Sequence, residues 1–69
     1  MKIFAKRLKE LRQEKELTLH AVSLQIGCPL TTYANYEQGK REPSIDMLKI
    51  LCDFYDVTAD YLIGRTDNY

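Results

Sequence analysis

The chain has 69 residues, with ten Lys and Arg against ten Asp and Glu, and 45 % of its residues are hydrophobic. That length allows one domain, and a chain so short buries only about 60 % of its unfolded surface, which leaves a narrow stability margin. No apolar run approaches the ~20 residues of a membrane span, the opening MKIFAKRLKE lacks a signal-peptide core, and a cytoplasmic globular protein is expected.

Residues 2–15 read as an amphipathic helix, with Ile3, Phe4, Ala5, Leu8 and Leu11 on the buried face and Lys6, Lys9, Gln13 and Lys15 outside. Helical spacing resumes over 18–26 through Leu19, Val22 and Ile26, with the small Ala21 and Ser23 beside them. Thr18 stands where that helix must begin, and its hydroxyl can accept a backbone N–H as N-cap. Gly27 can adopt the positive φ that ends a helix and turns the chain sharply. A third helix is expected from about residue 29 to residue 38, stopped by Gly39 in the same way. Two short helices joined by a glycine-containing turn form a helix-turn-helix.

Ser44 is placed to cap a fourth helix, with Asp46 favourable in its first turn and Ile45, Leu48, Leu51, Cys52 and Tyr55 on its inner face. Residues 56–58 make a short turn, Thr58 caps a final helix over 59–63, and Gly64 ends it. The domain is expected to span 1–64, and the polar tail 65–69 to be loose.

The string Leu17-Thr18, then Gly27, then Tyr36-Glu37-Gln38-Gly39-Lys40-Arg41-Glu42-Pro43-Ser44 resembles the Cro/cI-type (Xre-type) helix-turn-helix family of phage and bacterial repressors. The flanks fit as well, with Arg7-Leu8-Lys9-Glu10-Leu11-Arg12 upstream and Val57-Thr58-Ala59-Asp60-Tyr61-Leu62-Ile63-Gly64 near the end. The likeness covers about residues 4 to 64 and is most diagnostic from Glu37 to Ser44. It implies an all-α fold, a compact five-helix, lambda-repressor-like DNA-binding domain.

In such a domain the second helix of the motif enters the major groove by its N-terminal residues. Carried over position by position, the resemblance makes Leu30, Thr31 and Asn35 the base-reading residues, with Pro29 at the entry. It assigns phosphate contacts to Thr18, Leu19, Gln38, Lys40 and Arg41, and pairs Arg12 with Glu37 in a partly buried salt bridge. A solvated surface pair is the alternative. Relatives commonly carry Gln where this chain has Leu19, which cannot donate, so a backbone N–H at that helix end is left to serve a phosphate. Pro29 replaces the usual Ser or Thr cap; it fixes φ for a first turn but offers no capping oxygen, so the helix start is expected to shift by a residue. Tyr33 and Tyr36 are expected to pack in the core, with hydroxyls reaching the surface or a phosphate.

Asn35 can make a bidentate contact to adenine, Thr31 can hydrogen-bond to either base type, and Leu30 can pack on a thymine methyl. No Arg or Lys occurs between Gly27 and Gly39, so the commonest guanine contact is missing and an A·T-leaning half-site is expected. A net charge of zero argues against nucleic acid, but the distribution is polar. Residues 1–41 carry eight Lys and Arg against four Asp and Glu, whereas residues 42–69 carry two against six. Such an imbalance gives one basic face for phosphates and one acidic face turned away, unless the charges merely solvate helix surfaces.

Three classes of function stand against these residues. The first is a sequence-specific repressor that binds a double-stranded DNA operator as a homodimer on an inverted repeat. Val57, Tyr61, Leu62 and Ile63, more apolar than so short a terminal helix needs, are its expected dimer contacts. The chain is then either a stand-alone small regulator or the DNA-binding part of a longer repressor. The second is a protein-interaction module of the same fold, motivated by neutral net charge and by apolar Leu19, Leu24 and Leu30 on the surface. The third, an enzyme, finds no paired carboxylates, no metal-ligand spacing and a single histidine, His20. Cys28 and Cys52 read as reduced, buried small residues. No cofactor and no metal are expected.

Overall fold

Phe4, Leu8 and Leu11 recur at helical spacing, and the seam they form carries the rest of the chain. In the computed structural model, which describes residues 2–69, they lie on α1 (Lys2–Glu14), followed by α2 (Leu19–Ile26), α3 (Leu30–Glu37), α4 (Ile45–Tyr55) and α5 (Ala59–Leu62). Met1, the first residue of the expected 1–64 domain, lies outside the described residues. Among the described residues there is no strand, and the fold is all-α with a helix-turn-helix at α2–α3. α1 packs on α3 and α5, α2 packs on α3 and α4, and α4 packs on α5. One core results, from Phe4, Leu8 and Leu11, Val22 and Ile26, Tyr33 and Tyr36, Leu51 and Tyr55, and Leu62. The Cα radius of gyration, 10.7 Å, is close to the roughly 11 Å of a compact chain of this length.

Local chemistry sets the helix limits. Thr18, Ser44 and Thr58 accept the N–H of Ala21, Met47 and Tyr61 at 3.0, 3.0 and 3.1 Å. All five helices close in the same way. Glu16, Gly27, Gly39, Asp56 and Gly64 take φ of 56°, 73°, 73°, 56° and 88°. The next N–H in each case donates back to the carbonyl of Arg12, Ser23, Asn35, Cys52 or Asp60, over 2.8–3.2 Å. These are Schellman closures. Glu16 and Asp56 adopt the left-handed conformation with a side chain, which costs roughly 1–2 kcal/mol.

Four expectations need correction. Ile45, assigned to the inner face of α4, is 85 % exposed, because it lies about 100° around the helix from the Leu51–Tyr55 seam. Ile3 is 41 % exposed, because it sits outside the Phe4–Leu8 seam and rests on the backbone of Gly64. Tyr61 and Leu62 are 9 % and 0 % exposed, so neither is available as a dimer contact. A domain this small needs both residues to close its own core, while Val57 and Ile63 are half-buried. The tail is not loose. Arg7 donates to the carbonyls of Tyr61 and Thr66, pairs with Asp67 at 2.7 Å, and lies 4.1 Å over the Tyr61 ring. Tyr69 meets the same ring edge-on at 4.7 Å.

Candidate nucleic-acid interface

Tyr33 and Tyr36 define the inward side of α3, at 0 % and 4 % exposure. Phe4 and Tyr33 each meet Tyr36 edge-on, at 6.5 and 6.4 Å between ring centroids. A helix with that side buried must turn the opposite side to solvent. Thr31 is exposed there, with Asn35 half-exposed one turn on, and Leu30 is exposed on the flank, one turn before Tyr33. Pro29 takes the N-cap position at φ −60°, ψ 145° and makes no side-chain capping bond, so α3 starts at Leu30, one residue later than expected. Beyond α3, Gly39 and the Lys40 N–H close the helix on the carbonyls of Tyr36 and Asn35, and Lys40 and Arg41 project from the turn, exposed. Gln38 is exposed at the helix end.

The turn of the motif is held from behind by charge. Arg12 Nε and Nη2 donate to Glu37 Oε2 and Oε1 at 2.8 and 3.0 Å, and Nη1 donates to the Leu17 carbonyl at 2.9 Å. The side chains are 15 % and 5 % exposed, so the pair is largely desolvated. Its hydrogen bond to Glu37 raises the Arg12 pKa against the opposing effect of burial. The Tyr33 hydroxyl does not reach the surface or a phosphate. It lies 2.6 Å from the Tyr55 hydroxyl, one donating to the other, in the buried interior. Burial, the bond to Tyr55 and the neighbouring Glu37 push the Tyr33 hydroxyl far up, and burial first of all pushes Tyr55 up to about 12.

At the start of α2, the Thr18 hydroxyl is engaged as acceptor by the Ala21 N–H. Leu19 is half-buried. It packs against the core and lines a shallow groove with Lys9, Arg12, Ala34, Glu37 and Gln38. The apolar surface that suggested a protein partner therefore has Leu19 only half-exposed, beside Leu24, 70 % exposed, and Leu30, 45 % exposed. Lys9 joins Gln38 around this groove, a placement not foreseen from the sequence although Lys9 precedes Arg12 by one helical turn. Nothing local marked Arg7 as the clasp of the tail, or Tyr55 as the partner of Tyr33.

Cys28 and Cys52 are free and half-buried, and burial pushes both thiols up. Among the described residues no group of three His, Cys, Asp or Glu could hold a metal ion, and no helix is long and apolar enough to cross a membrane.

The capped α2, the αL glycine turn and the outward side of α3 define a helix-turn-helix domain. A helix-turn-helix family model matches residues 8–62, and the chain belongs to that family, of the Cro/cI (Xre) type. It is similar to the HTH-type transcriptional regulator AnsR of Bacillus subtilis, 44 % identical over 86 % of this chain and 51 % of AnsR. It is also similar to the uncharacterized HTH-type transcriptional regulator YobD of the same organism, 36 % identical over 96 % of this chain and 59 % of YobD. A third relative is the cryptic phage CTXphi transcriptional repressor RstR of Vibrio cholerae, 29 % identical over 94 % of this chain and 59 % of RstR. The chain thus spans between half and three-fifths of the length of these relatives.

Proposed function

We propose that this chain is a sequence-specific double-stranded DNA-binding regulator that represses transcription by occupying an operator, with no chemical step. The observation that carries this reading is the outward side of α3. Thr31 and Asn35 stand together on it, exposed Leu30 flanks them in the first turn with Pro29 at the entry, and the Lys40–Arg41 turn stands exposed at the far end. Asn35 is the adenine reader, Thr31 and Leu30 complete an A·T-leaning half-site, and Lys40, Arg41 and Gln38 hold phosphates without choosing sequence. The Thr18 hydroxyl, engaged only as acceptor, keeps its own hydrogen for a phosphate, and the N–H groups beside Leu19 face the same backbone. That RstR is named a repressor supports the direction of regulation.

One α3 offers only about four side chains to base edges, too few for a unique address. Two copies on an inverted repeat, with recognition helices roughly 34–36 Å apart, double the reading. A homodimer is therefore part of the proposal, acting in the cytoplasm. With Tyr61 and Leu62 in the core, Val57 and Ile63 remain as its contact residues within residues 1–64, the DNA-binding domain.

Selection from a random duplex pool near 150 mM salt tests the reading. Recovery of an A·T-leaning inverted repeat is expected, with Asn35→Ala relaxing choice at one base pair by about 1–3 kcal/mol. Recovery of no sequence, with binding that vanishes at moderate salt, refutes it and turns attention to a protein partner at Leu24 and Leu30.

A further inference from the structure

The recognition helix is short and poorly tethered at the end that would enter the groove. α3 has eight residues and no side-chain cap at Pro29. It packs chiefly on α1 and α2. Two polar attachments fix it from behind. Arg12 grips Glu37 at its C-terminal end, and in the middle the Tyr33 hydroxyl meets the Tyr55 hydroxyl of α4 at 2.6 Å. Tyr33 and Tyr55 are 0 % and 4 % exposed, so no water competes for this bond.

We propose that Tyr55 is a specificity-determining positioning residue, whose hydroxyl bond to Tyr33 sets the rotation of α3 about its own axis without touching DNA. The inference rests on the DNA-reading function above and adds to it a residue on a different helix. Leu30, Tyr33 and Glu37 follow one another along one side of α3, and Thr31 and Asn35 flank the side opposite Tyr33. Side-chain ends stand about 5–6 Å from a helix axis, so a rotation of 20° carries each of them by about 2 Å. Bidentate base contacts tolerate a few tenths of an ångström. Close packing of Tyr33 against its neighbours resists large rotations of α3. A hydroxyl pair of fixed length and direction adds a finer restraint than apolar contact supplies. The bond therefore narrows the small rotations of α3 that packing still permits, and the base-reading side chains inherit the choice.

The alternative is that the pair only satisfies two buried hydroxyls. Tyr55→Phe and the double variant Tyr33→Phe/Tyr55→Phe separate the two. Removing one hydroxyl strands the other and lowers stability, whereas removing both restores an apolar, nearly isosteric contact. The assay measures Kd for the selected duplex and for a duplex with one substituted base pair, alongside the thermal midpoint and the salt dependence. The expected result is that the ratio of the two Kd values falls five- to tenfold in both variants, while affinity for the substituted duplex and the salt slope stay as in the parent. The double variant regains its midpoint but not its discrimination. A double variant with parental midpoint and parental discrimination overturns the positioning role and leaves the DNA-reading function standing. A parent chain with no sequence preference overturns both. If Tyr55→Phe alone fails to fold, the double variant decides.

Discussion

Replacing Arg12 by Ala removes two bonds to Glu37 and one to the Leu17 carbonyl, and leaves a carboxylate only 5 % exposed without a counter-charge. Breaking one side of a buried pair costs about 3–5 kcal/mol, mainly because the surviving charge stays desolvated. A domain of this length has in total about 3–10 kcal/mol. The loss is therefore between a third and all of the stability, and at roughly 4–8 °C per kcal/mol the melting midpoint should fall by at least about 12 °C. The assay is a thermal melt followed by helical circular dichroism at pH 7, repeated in 1 M salt. A surface pair would be screened at that ionic strength, whereas this one should keep most of its shift. Arg12→Lys should recover only part of the loss, since an ammonium cannot reproduce the two-point fork. The apolar double variant Arg12→Met/Glu37→Leu should recover most of it, because neither charge is then buried. A shift of only a degree or two for Arg12→Ala refutes the reasoning, as does a double variant no better than the single one.

The helix ends give a pair of opposite changes. Asp56→Gly relieves a left-handed residue and should raise stability by about 1 kcal/mol in urea titration, whereas Gly64→Ala, at φ 88° with its new Cβ 2.8 Å from Ile3 Cγ2, should lower it by more than that. Alkali should act through the tyrosine pair. Folding raises both hydroxyls above the unfolded value near 10, so their stabilisation is whole below pH 10 and is lost as pH climbs toward 12, at up to about 2.7 kcal/mol per pH unit. Urea titrations at pH 9.5 and 11 should show that slope roughly halved in Tyr33→Phe, and an unchanged slope rejects the assignment. Lys40→Ala or Arg41→Ala should weaken binding to every duplex alike and flatten the salt dependence by about one unit each; a base-specific effect instead would remove them from the phosphate set.

What the sequence disclosed divides along the range of the interaction. Caps and closures are local, so Thr18, Ser44, Thr58 and the glycines marked the helices to within a residue or two. The phase of an apolar stripe is less local. Ile45 fits the period of α4, but which arc of the helix is buried depends on where α2 and α5 lie. Tyr61 and Leu62 looked like surplus because a four-residue helix seldom needs two large apolar side chains. In a 69-residue chain with little core elsewhere, they are structural necessities. Leu19 is more buried than its place on the motif suggested for a related reason, since a substitution away from a polar family position says nothing about what lies beneath it. The approach of Arg12 to Glu37, 25 residues on, came from resemblance and not from spacing. Tyr33–Tyr55 had no sequence signal, because a tyrosine at a core position looks like any aromatic until the partner hydroxyl is seen.

Net charge misleads about a chain like this one because it weighs every cation alike. Arg7 and Arg12 are engaged in structure, the first clasping residues 61–67 and the second holding Glu37, and neither is available to a phosphate. Around the groove and the outward side of α3 there remain Lys9, Lys40 and Arg41. If Lys9 is counted with the proposed Lys40 and Arg41, three phosphate contacts give a slope of about −2.7 in log K against log salt, and a loss of roughly fortyfold between 50 and 200 mM. Two copies on one site double the slope and bring the loss to about 10³, at the low end for specific regulators. A single copy is thus held weakly at any sequence, and its few electrostatic contacts cannot mask a poor base match. On the proposed reading, affinity comes from pairing two copies and from correct base contacts at both half-sites. A small count of free cations near α3 is therefore not a defect in a DNA-reading surface. On the proposed reading it makes binding depend on how exactly α3 is held, and so on the two buried attachments behind it, Arg12–Glu37 and Tyr33–Tyr55.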